Sequence, residues 1–216
     1  MSDIIFLSSV RLSFPHLAEP QRQVNEQTGK ERISYNCEFL MPQDHAGFAQ
    51  FMHRYGAMAL EKWKEHAQTV MGMIQNDRKT RCFGRGEDKV NKKTLTPYDG
   101  YAGNVFITAG RDSPPQVIQA DGTPIDPTNT MQYQALTRKM YGGCRVNAAV
   151  KPWLQDNKYG RGVRCDLVAI QFAADDKPFG EGSVDASAMF GQVAGAPAGM
   201  FAPAAAMPLP PFMMSQ

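Results

Sequence analysis

The sequence predicts a mainly β, α+β fold with one long helix, compatible with a small barrel or sandwich. Three patterns indicate this fold. Polar and apolar side chains alternate from Arg32 to Met41, which is typical of a half-buried strand. Apolar side chains recur every three or four residues from Phe48 to Ile74, as in an amphipathic helix. Two strand-like runs, 144–154 and 163–172, are joined by a polar, glycine-containing connection, which predicts a hairpin with a wide, basic tip.

The first strand is predicted over residues 4–14, and it ends at Pro15 because proline has no N–H to donate to a ladder. It is expected to pair antiparallel with the strand over 32–41, across a long polar loop. Asp44 is the predicted N-cap of the helix, which extends over about 44–75 and ends at Asn76-Asp77. We interpret its Met- and aromatic-rich stripe as a face that packs on the sheet; a groove for a partner is the alternative.

The remaining elements are shorter. A basic loop over about 76–101 follows the helix, and Thr128 to Lys139 is a loop or a short helix. Two short strands are predicted between them, over 104–109 and 116–119. Residues 1–182 are expected to form one folded domain. Residues 183–216 are expected to form a flexible tail, because they are rich in Ala, Pro and Met and have no ionisable side chain after Asp185.

Composition excludes several functional classes. The four cysteines form no C-x-x-C pair and the four histidines are scattered, so we expect neither a zinc site nor another cofactor. The cysteines at 37, 144 and 165 lie in strand-like runs and are expected to be buried hydrophobes. No apolar stretch approaches the roughly 20 residues of a membrane helix, and no secretion signal is seen, which favours a cytoplasmic protein.

No catalytic motif is present. The chain has no phosphate-binding G-x-x-x-x-G-K-[ST] loop, no G-x-S-x-G elbow and no H-E-x-x-H sequence, so we expect no enzyme activity. The acidic pairs Glu87-Asp88 and Asp175-Asp176 could hold Mg²⁺ in a nuclease. Adjacent acidic residues in loops are more often solvated surface.

One four-residue phrase, an aromatic followed by Gly-Arg-Gly, occurs at residues 83–86 and again at 159–162. Glycine allows a positive φ and a close approach to a ligand, arginine offers a planar cation to phosphate, and a ring can stack on a base. Two surface turns of similar composition are the alternative interpretation.

Basic residues alternate with rings elsewhere too. The net charge is only +2, but seven basic and three acidic side chains lie between Arg78 and Tyr101. Cations that follow phosphates and rings that stack on bases are what a sequence-tolerant single-strand binder needs. The predicted nucleic-acid-binding residues are Arg78, Lys79, Arg81, Phe83, Arg85, Lys89, Lys92, Lys93, Tyr98, Tyr101, Arg145, Lys151, Lys158, Tyr159, Arg161 and Arg164. Tyr141 and Trp153 are alternatively strand residues that face the core.

Specific runs resemble a known family. Tyr141-Gly-Gly-Cys-Arg-Val-Asn147 is the most specific, supported by Gly160-Arg-Gly-Val163, Leu167 to Phe172 and the N-terminal Arg11 to Leu17. These runs resemble phage and prophage single-stranded DNA-binding proteins, a family first catalogued as a domain of unknown function and distantly similar to T7-type single-strand binders. The resemblance extends over about residues 10–180.

The resemblance implies an OB-fold, a five-stranded barrel with the long helix inserted, and a role in phage DNA replication or recombination in the host cytoplasm. It also implies single-stranded DNA as partner. Many single-strand binders recruit replication proteins through an acidic tail, whereas this tail is uncharged. Contact through Phe212 is the replacement hypothesis.

Two other functional classes stay open from the sequence. The first is a structural or interaction protein that acts through its apolar tail, and the second is a metal-dependent nuclease. RNA binding is a variant of the leading hypothesis, because stacking and charge serve both nucleic acids.

Overall fold

A long, bent first strand organises the sheet. The structure is a computed structural model that describes residues 3–24, 29, 31–126 and 128–180. Strand β1 (Ile5–Val24) pairs antiparallel with β2 (Glu31–Met41) along one edge and with β6 (Arg145–Asn157) along the other. Its register against β2 shifts on both sides of His16, and Ser9 and Phe14 have positive φ. Such irregularities bend a strand and let it turn from one partner to the next.

Pro15 does not end β1, contrary to the sequence prediction. The register shift between Ser13 and His16 places Pro15 at a bulge, where no ladder hydrogen bond is required of it. The strand therefore continues as far as Val24.

Among the described residues, seven strands form one open sheet in the order β3-β4-β2-β1-β6-β7-β5. The remaining strands are β3 (Phe83–Arg85), β4 (Val105–Arg111), β5 (Gln116–Ile118) and β7 (Gly160–Ala174). All neighbours are antiparallel except β5 and β7. The mainly β prediction is confirmed, whereas the sheet is open and has more strands than the five expected.

The predicted long helix is two helices, α1 (Ala46–Trp63) and α2 (Ala67–Asn76), separated by a 3₁₀ turn at Lys64–His66. Lys64 has φ 50°, which is incompatible with continuous α-helix. The N-cap is His45 rather than Asp44: its Nδ1 accepts a hydrogen bond from the Gly47 N–H at 3.1 Å. The helical segment ends at Asn76 as predicted.

The apolar stripe of the helices faces the core, as predicted. Phe51, Tyr55, Ala59 and Trp63 recur every four residues and are buried with the inward side chains of the strands. The Phe83 ring projects from the sheet against this stripe, with its centroid 5.8 Å from that of Phe51. Burial of each large apolar side chain contributes about 1.5–3 kcal/mol, so this contact fixes the helices on the sheet.

Of two further segments, one agrees with the sequence expectation and the other differs from it. Residues in the ambiguous 128–139 region form helix α3 (Thr130–Thr137), capped by the Asn129 side chain. The hairpin between β6 and β7 is tight rather than wide, because the strands continue to Asn157 and from Gly160 and only Lys158-Tyr159 connects them. The four cysteines are buried and free.

Candidate nucleic-acid interface

A cleft of about 1410 Å³ lies on the outer face of the sheet. On β4, Ile107 and Ala109 are buried in the core, so the alternate residues Phe106, Thr108 and Gly110 face outward into the cleft. By the same alternation, β7 buries Val163, Cys165 and Leu167 and contributes Arg164, Asp166 and Val168 to the opposite side. The cleft therefore has β4 on one side and β7 on the other.

Six cationic and four acidic side chains line this cleft, so its lining is positively charged overall. Arg32 and Arg111 come from β2 and β4, at one end of the cleft. Arg32 pairs with Asp112 at 3.1 Å, and the Arg111 Nε donates to Ser113. Arginine presents a planar fork that matches phosphate oxygens, so this end offers a phosphate-binding surface.

Arg78 and Arg81 share one carboxylate, Asp88. Their Nη2 atoms lie 3.5 and 3.0 Å from its two oxygens. The Arg81 side chain is only 9 % exposed, whereas that of Arg78 is 65 % exposed. Arg78 is therefore the cation of this pair that a ligand can reach directly.

Arg164 connects the two sides of the cleft. Its Nε donates to Gln155 at 3.0 Å and its Nη1 to the Lys79 carbonyl at 2.9 Å. The preceding residue, Val163, donates its N–H to the Thr80 carbonyl at 2.8 Å. These bonds hold β7 against the segment before β3, and they fix the guanidinium at the cleft wall.

Gly162 makes this close approach sterically feasible. A Cβ at this position would lie 2.6 Å from the Thr80 carbonyl oxygen, which is a backbone atom that cannot move aside alone. Gly86, the matching glycine of the other Gly-Arg-Gly phrase, packs on the backbone of Tyr101 in the same way. The repeated phrase thus supplies two points where backbones meet, while Arg85 and Arg161 are exposed and pair with Glu87 and Asp156.

A buried carboxylate fastens the basic loop to the sheet. Glu38 of β2 is 7 % exposed and accepts hydrogen bonds from the Tyr101 hydroxyl at 2.6 Å and the Thr108 hydroxyl at 3.3 Å. Lys89 forms an ion pair with Glu38 and lies 4.8 Å from the Phe106 ring centroid. Burial, with the Glu38 charge beside it, raises the pKa of Tyr101 well above its usual value, so this hydroxyl stays protonated as a donor.

The hairpin tip carries the most exposed ring of the predicted site. Tyr159 is 79 % exposed, and the Lys158 ammonium lies 5.1 Å from its ring centroid. Below the tip, Asp156 accepts a hydrogen bond from the Trp63 indole at 2.8 Å and pairs with Arg161. The pKa of Asp156 is lowered mainly by the hydrogen bond from Trp63 and, to a smaller extent, by the charge of Arg161. Asp156 is therefore an ionised carboxylate that connects the hairpin to the end of α1.

The structure brings some of the predicted residues to the cleft and places others elsewhere. Arg78, Arg81, Phe83, Lys89 and Arg164 line it. The other basic residues are exposed or half-buried outside its lining; they are Lys79, Arg85, Lys92, Lys93, Arg145, Lys151, Lys158 and Arg161.

Two of the rings predicted to stack on bases, Phe83 and Tyr101, are buried, so the prediction is wrong for them. Phe83 is 3 % exposed because it packs under α1, and Tyr101 is fully buried because its hydroxyl bonds to Glu38. Neither presents a ring face to the surface. Tyr98 is half-buried against Phe14, with ring centroids 5.2 Å apart.

Four basic or aromatic residues of the cleft lining are absent from the sequence-predicted set: Arg32, Phe106, Arg111 and Trp153. Trp153 does not face the core, because β6 buries Val150 and Pro152 and turns the alternate position outward. Its side chain is 40 % exposed. The same alternation of inward and outward side chains along β2 and β4 is the sequence pattern that could have located Arg32, Phe106 and Arg111.

The described part of the chain can also be compared with the requirements of a membrane helix and of a metal site. In that part of the chain, no helix is long and apolar enough to cross a membrane. No group of three or more His, Cys, Asp or Glu side chains gathers there into a set able to hold a metal ion.

Comparison with known proteins gives consistent matches. The profile of the family described as Enterobacter phage Enc34, ssDNA-binding protein, matches residues 3–199. The p50 protein of Acyrthosiphon pisum secondary endosymbiont phage 1 is 32 % identical over 186 residues, which is 83 % of this chain and 88 % of that relative.

Solved structures of the bacteriophage Enc34 single-stranded DNA-binding protein share the fold. The complex with ssDNA superposes with a TM-score of 0.61 at 24 % identity, covering 82 % of this chain and 90 % of that one. Another structure of the same phage protein gives 0.57 at 26 % identity, with 86 % and 88 % covered. The profile match spans most of the sequence, and the chain belongs to the family of the Enterobacter phage Enc34 ssDNA-binding protein.

Proposed function

We propose that this protein binds single-stranded DNA without sequence preference and supports phage DNA replication or recombination in the host cytoplasm. Family membership supports the ligand class. The observation that carries the proposal is the cleft between the outer faces of β4 and β7, with its excess of arginine and lysine and an exposed indole. Cations attract the phosphates and rings accept the bases, which together favour an unpaired strand over a duplex.

We further propose that five strands form an OB-type barrel. The strands β4, β2, β1, β6 and β7 are consecutive in the sheet, and the hydrogen bond from Val163 to Thr80 draws β7 toward the segment that leads into β3 and β4. A sheet curled in this way has its seam at the cleft. Ligand binding across the outer strand face is the usual mode of this fold.

The loop and the hairpin would extend the binding track beyond the cleft. Exposed Lys92 and Lys93 lie on the basic loop, and Lys158 and Tyr159 lie on the hairpin tip. These groups have no side-chain partner that buries them, so their charges and the Tyr159 ring are free to contact a longer strand. The proposed role is binding without catalysis.

The experiment that tests this function compares oligo-dT with a duplex of equal length over a range of salt concentrations. Oligo-dT is expected to bind more tightly, with affinity that falls steeply as salt rises. The cleft variant Arg111→Ala should reduce the slope of log K against log salt by about 0.7, the value for one phosphate contact with a single strand. The control Lys139→Ala removes an exposed cation outside the cleft lining and should leave the slope unchanged.

Two results would redirect the proposal. Equal affinity for duplex and oligo-dT, or no dependence on salt, contradicts single-strand binding. Cleavage of a labelled oligonucleotide that requires a divalent metal identifies the nuclease alternative. RNA in a third arm establishes whether the protein distinguishes the two nucleic acids.

The C-terminal tail, including Phe212 and the proposed domain boundary at 182, lies outside the described residues. We propose that Phe212 contacts replication or recombination proteins through apolar packing. Deletion of 207–216 should then abolish those contacts and leave oligo-dT binding intact. Unchanged capture of replication proteins by the shortened chain would contradict this role. Loss of partner capture in a chain whose full-length form has no DNA affinity would instead favour an interaction protein.

A further inference from the structure

Three aromatic side chains line the cleft, and they differ in what they offer a ligand. Phe83 is 3 % exposed and Phe106 is 7 % exposed, whereas Trp153 is 40 % exposed. Trp153 also lines a second, adjacent cleft of about 470 Å³ that contains Lys62 and Lys151. Its indole therefore lies where a strand leaving the large cleft would pass.

The Trp153 ring is held in place by a carboxylate on the neighbouring strand. Its Nε1 donates a hydrogen bond to the Asp166 Oδ1 at 2.7 Å. In the register of β6 and β7, Trp153 lies opposite Arg164 and Lys151 lies opposite Asp166, so this bond runs diagonally across the pair. This bond favours one orientation of the indole, whereas the Tyr159 ring at the hairpin tip is 79 % exposed.

The residue opposite Trp153 on the neighbouring strand is an arginine. Arg164 faces Trp153 across the strands and is fixed by Gln155 and by the Lys79 carbonyl. A stacked base next to a fixed cation has its phosphate within reach of that cation, which is the pairing that single-strand sites require. Ring and cation are thus both preorganised on one pair of strands.

The negative charge of Asp166, taken alone, is unfavourable for binding DNA. It is an exposed carboxylate in a cleft proposed to bind a polyanion, and the Trp153 hydrogen bond is the contact that gives it a role. Building on the proposed function, we infer that Trp153 is the main base-stacking platform of the cleft and that Asp166 is the residue that positions its ring. The ligand is an unpaired nucleobase.

The inference predicts an effect of Asp166→Ala that is opposite in sign to simple electrostatics. Removing a negative charge should strengthen binding of a polyanion, whereas loss of the indole hydrogen bond should weaken it. We expect Asp166→Ala to bind oligo-dT several-fold more weakly than wild type. Asp166→Asn keeps an oxygen acceptor for the indole and should restore wild-type affinity or better.

A matched control is Asp112→Ala. Asp112 is another carboxylate of the cleft lining, and it pairs with Arg32 rather than with a ring. Its removal should leave oligo-dT affinity unchanged or increased. Trp153→Ala should weaken binding by roughly 5- to 150-fold, the range that corresponds to 1–3 kcal/mol of stacking, and Trp153→Phe should retain most of it.

Fluorescence reports on the ring directly. The chain has two tryptophans, and the second, Trp63, is 6 % exposed. In the full-length Trp63→Phe variant, addition of oligo-dT should quench the emission of Trp153. This readout does not depend on whether the Trp153 variants fold, and circular dichroism checks the Trp63→Phe background.

The outcomes separate this inference from the proposed function. Tight, salt-dependent oligo-dT binding without quenching of Trp153 overturns the inference and leaves single-strand binding intact. Tighter binding by Asp166→Ala, as in Asp112→Ala, also overturns it, because Asp166 would then act only through its charge. No oligo-dT binding by the wild-type chain overturns both.

Discussion

Replacement of Glu38 by alanine tests whether one buried carboxylate fastens the basic loop to the sheet. Glu38 is the acceptor for the hydroxyl of Tyr101, a side chain with no exposed surface. Without it, only Ser13, at 3.1 Å, remains as a partner for that hydroxyl. The ammonium of Lys89 also loses its ion pair.

The magnitude follows from these contacts. A hydrogen bond to a charged group contributes about 1.5–3 kcal/mol. The ion pair adds no more than about 1 kcal/mol, because the Lys89 side chain is 35 % exposed and solvent screens it. The Thr108 contact is long at 3.3 Å and adds little. We therefore expect Glu38→Ala to lower the free energy of unfolding by about 2–4 kcal/mol.

Thermal unfolding followed by circular dichroism measures this loss. For a chain of this size, 1 kcal/mol shifts Tm by about 2–4 °C, so the expected decrease is roughly 4–16 °C. Glu38→Gln keeps an oxygen acceptor for Tyr101 and should lose less than half as much. A Tm for Glu38→Ala within about 2 °C of wild type would refute the reasoning. Equal losses for both variants would place the stabilisation in the ion pair instead.

Three other perturbations have defined outcomes. Gly162→Ala forces a Cβ toward the Thr80 carbonyl and should lower the free energy of unfolding in urea by about 1–3 kcal/mol. The control Gly142→Ala has open space around the new Cβ and should leave stability unchanged. Equal effects of the two variants would contradict the close approach of Gly162 to Thr80. Burial raises the pKa of Cys82 from 9.0 and that of Tyr55 from 10.0, each to about 12. The stability that these two groups contribute is therefore fully present below pH 9 and is lost as pH rises toward 12. Urea unfolding of the reduced protein should show this decline, and a stability that does not change with pH would contradict it. Tyr159→Ala should weaken oligo-dT binding more than Lys158→Ala, because it removes a stacking ring rather than one of several cations, and the reverse order would remove Tyr159 from the interface.

Local patterns in the sequence predicted the main strands and the helical segment well. Period-two alternation located β2, and the apolar stripe located both helices and their buried face. The same alternation carried the outward placement of Trp153, since Val146, Ala148 and Val150 occupy the inward positions of β6. The sequence alone leaves Trp153 open between a ring at the interface and a core residue, and its 40 % exposure places it at the surface.

Other features depend on contacts between distant residues. Tyr101 is buried because Glu38, 63 positions earlier, accepts a hydrogen bond from its hydroxyl. No local sequence pattern predicts this bond. Phe83 belongs to a three-residue strand whose burial requires the helices to lie over it. Arg111 and Arg164 line the same cleft only because β4 and β7 approach each other in the folded sheet.

The most direct test of the account is to map where a single strand contacts the protein. A photoreactive oligo-dT carrying 5-iodouridine, crosslinked to the full-length protein and analysed by mass spectrometry, locates these contacts. The account predicts crosslinks on the cleft residues of β4, β6 and β7, with Trp153 among them and competition by unlabelled oligo-dT. Crosslinks confined to the outer surface of α1 and α2, with the cleft unlabelled, would contradict it.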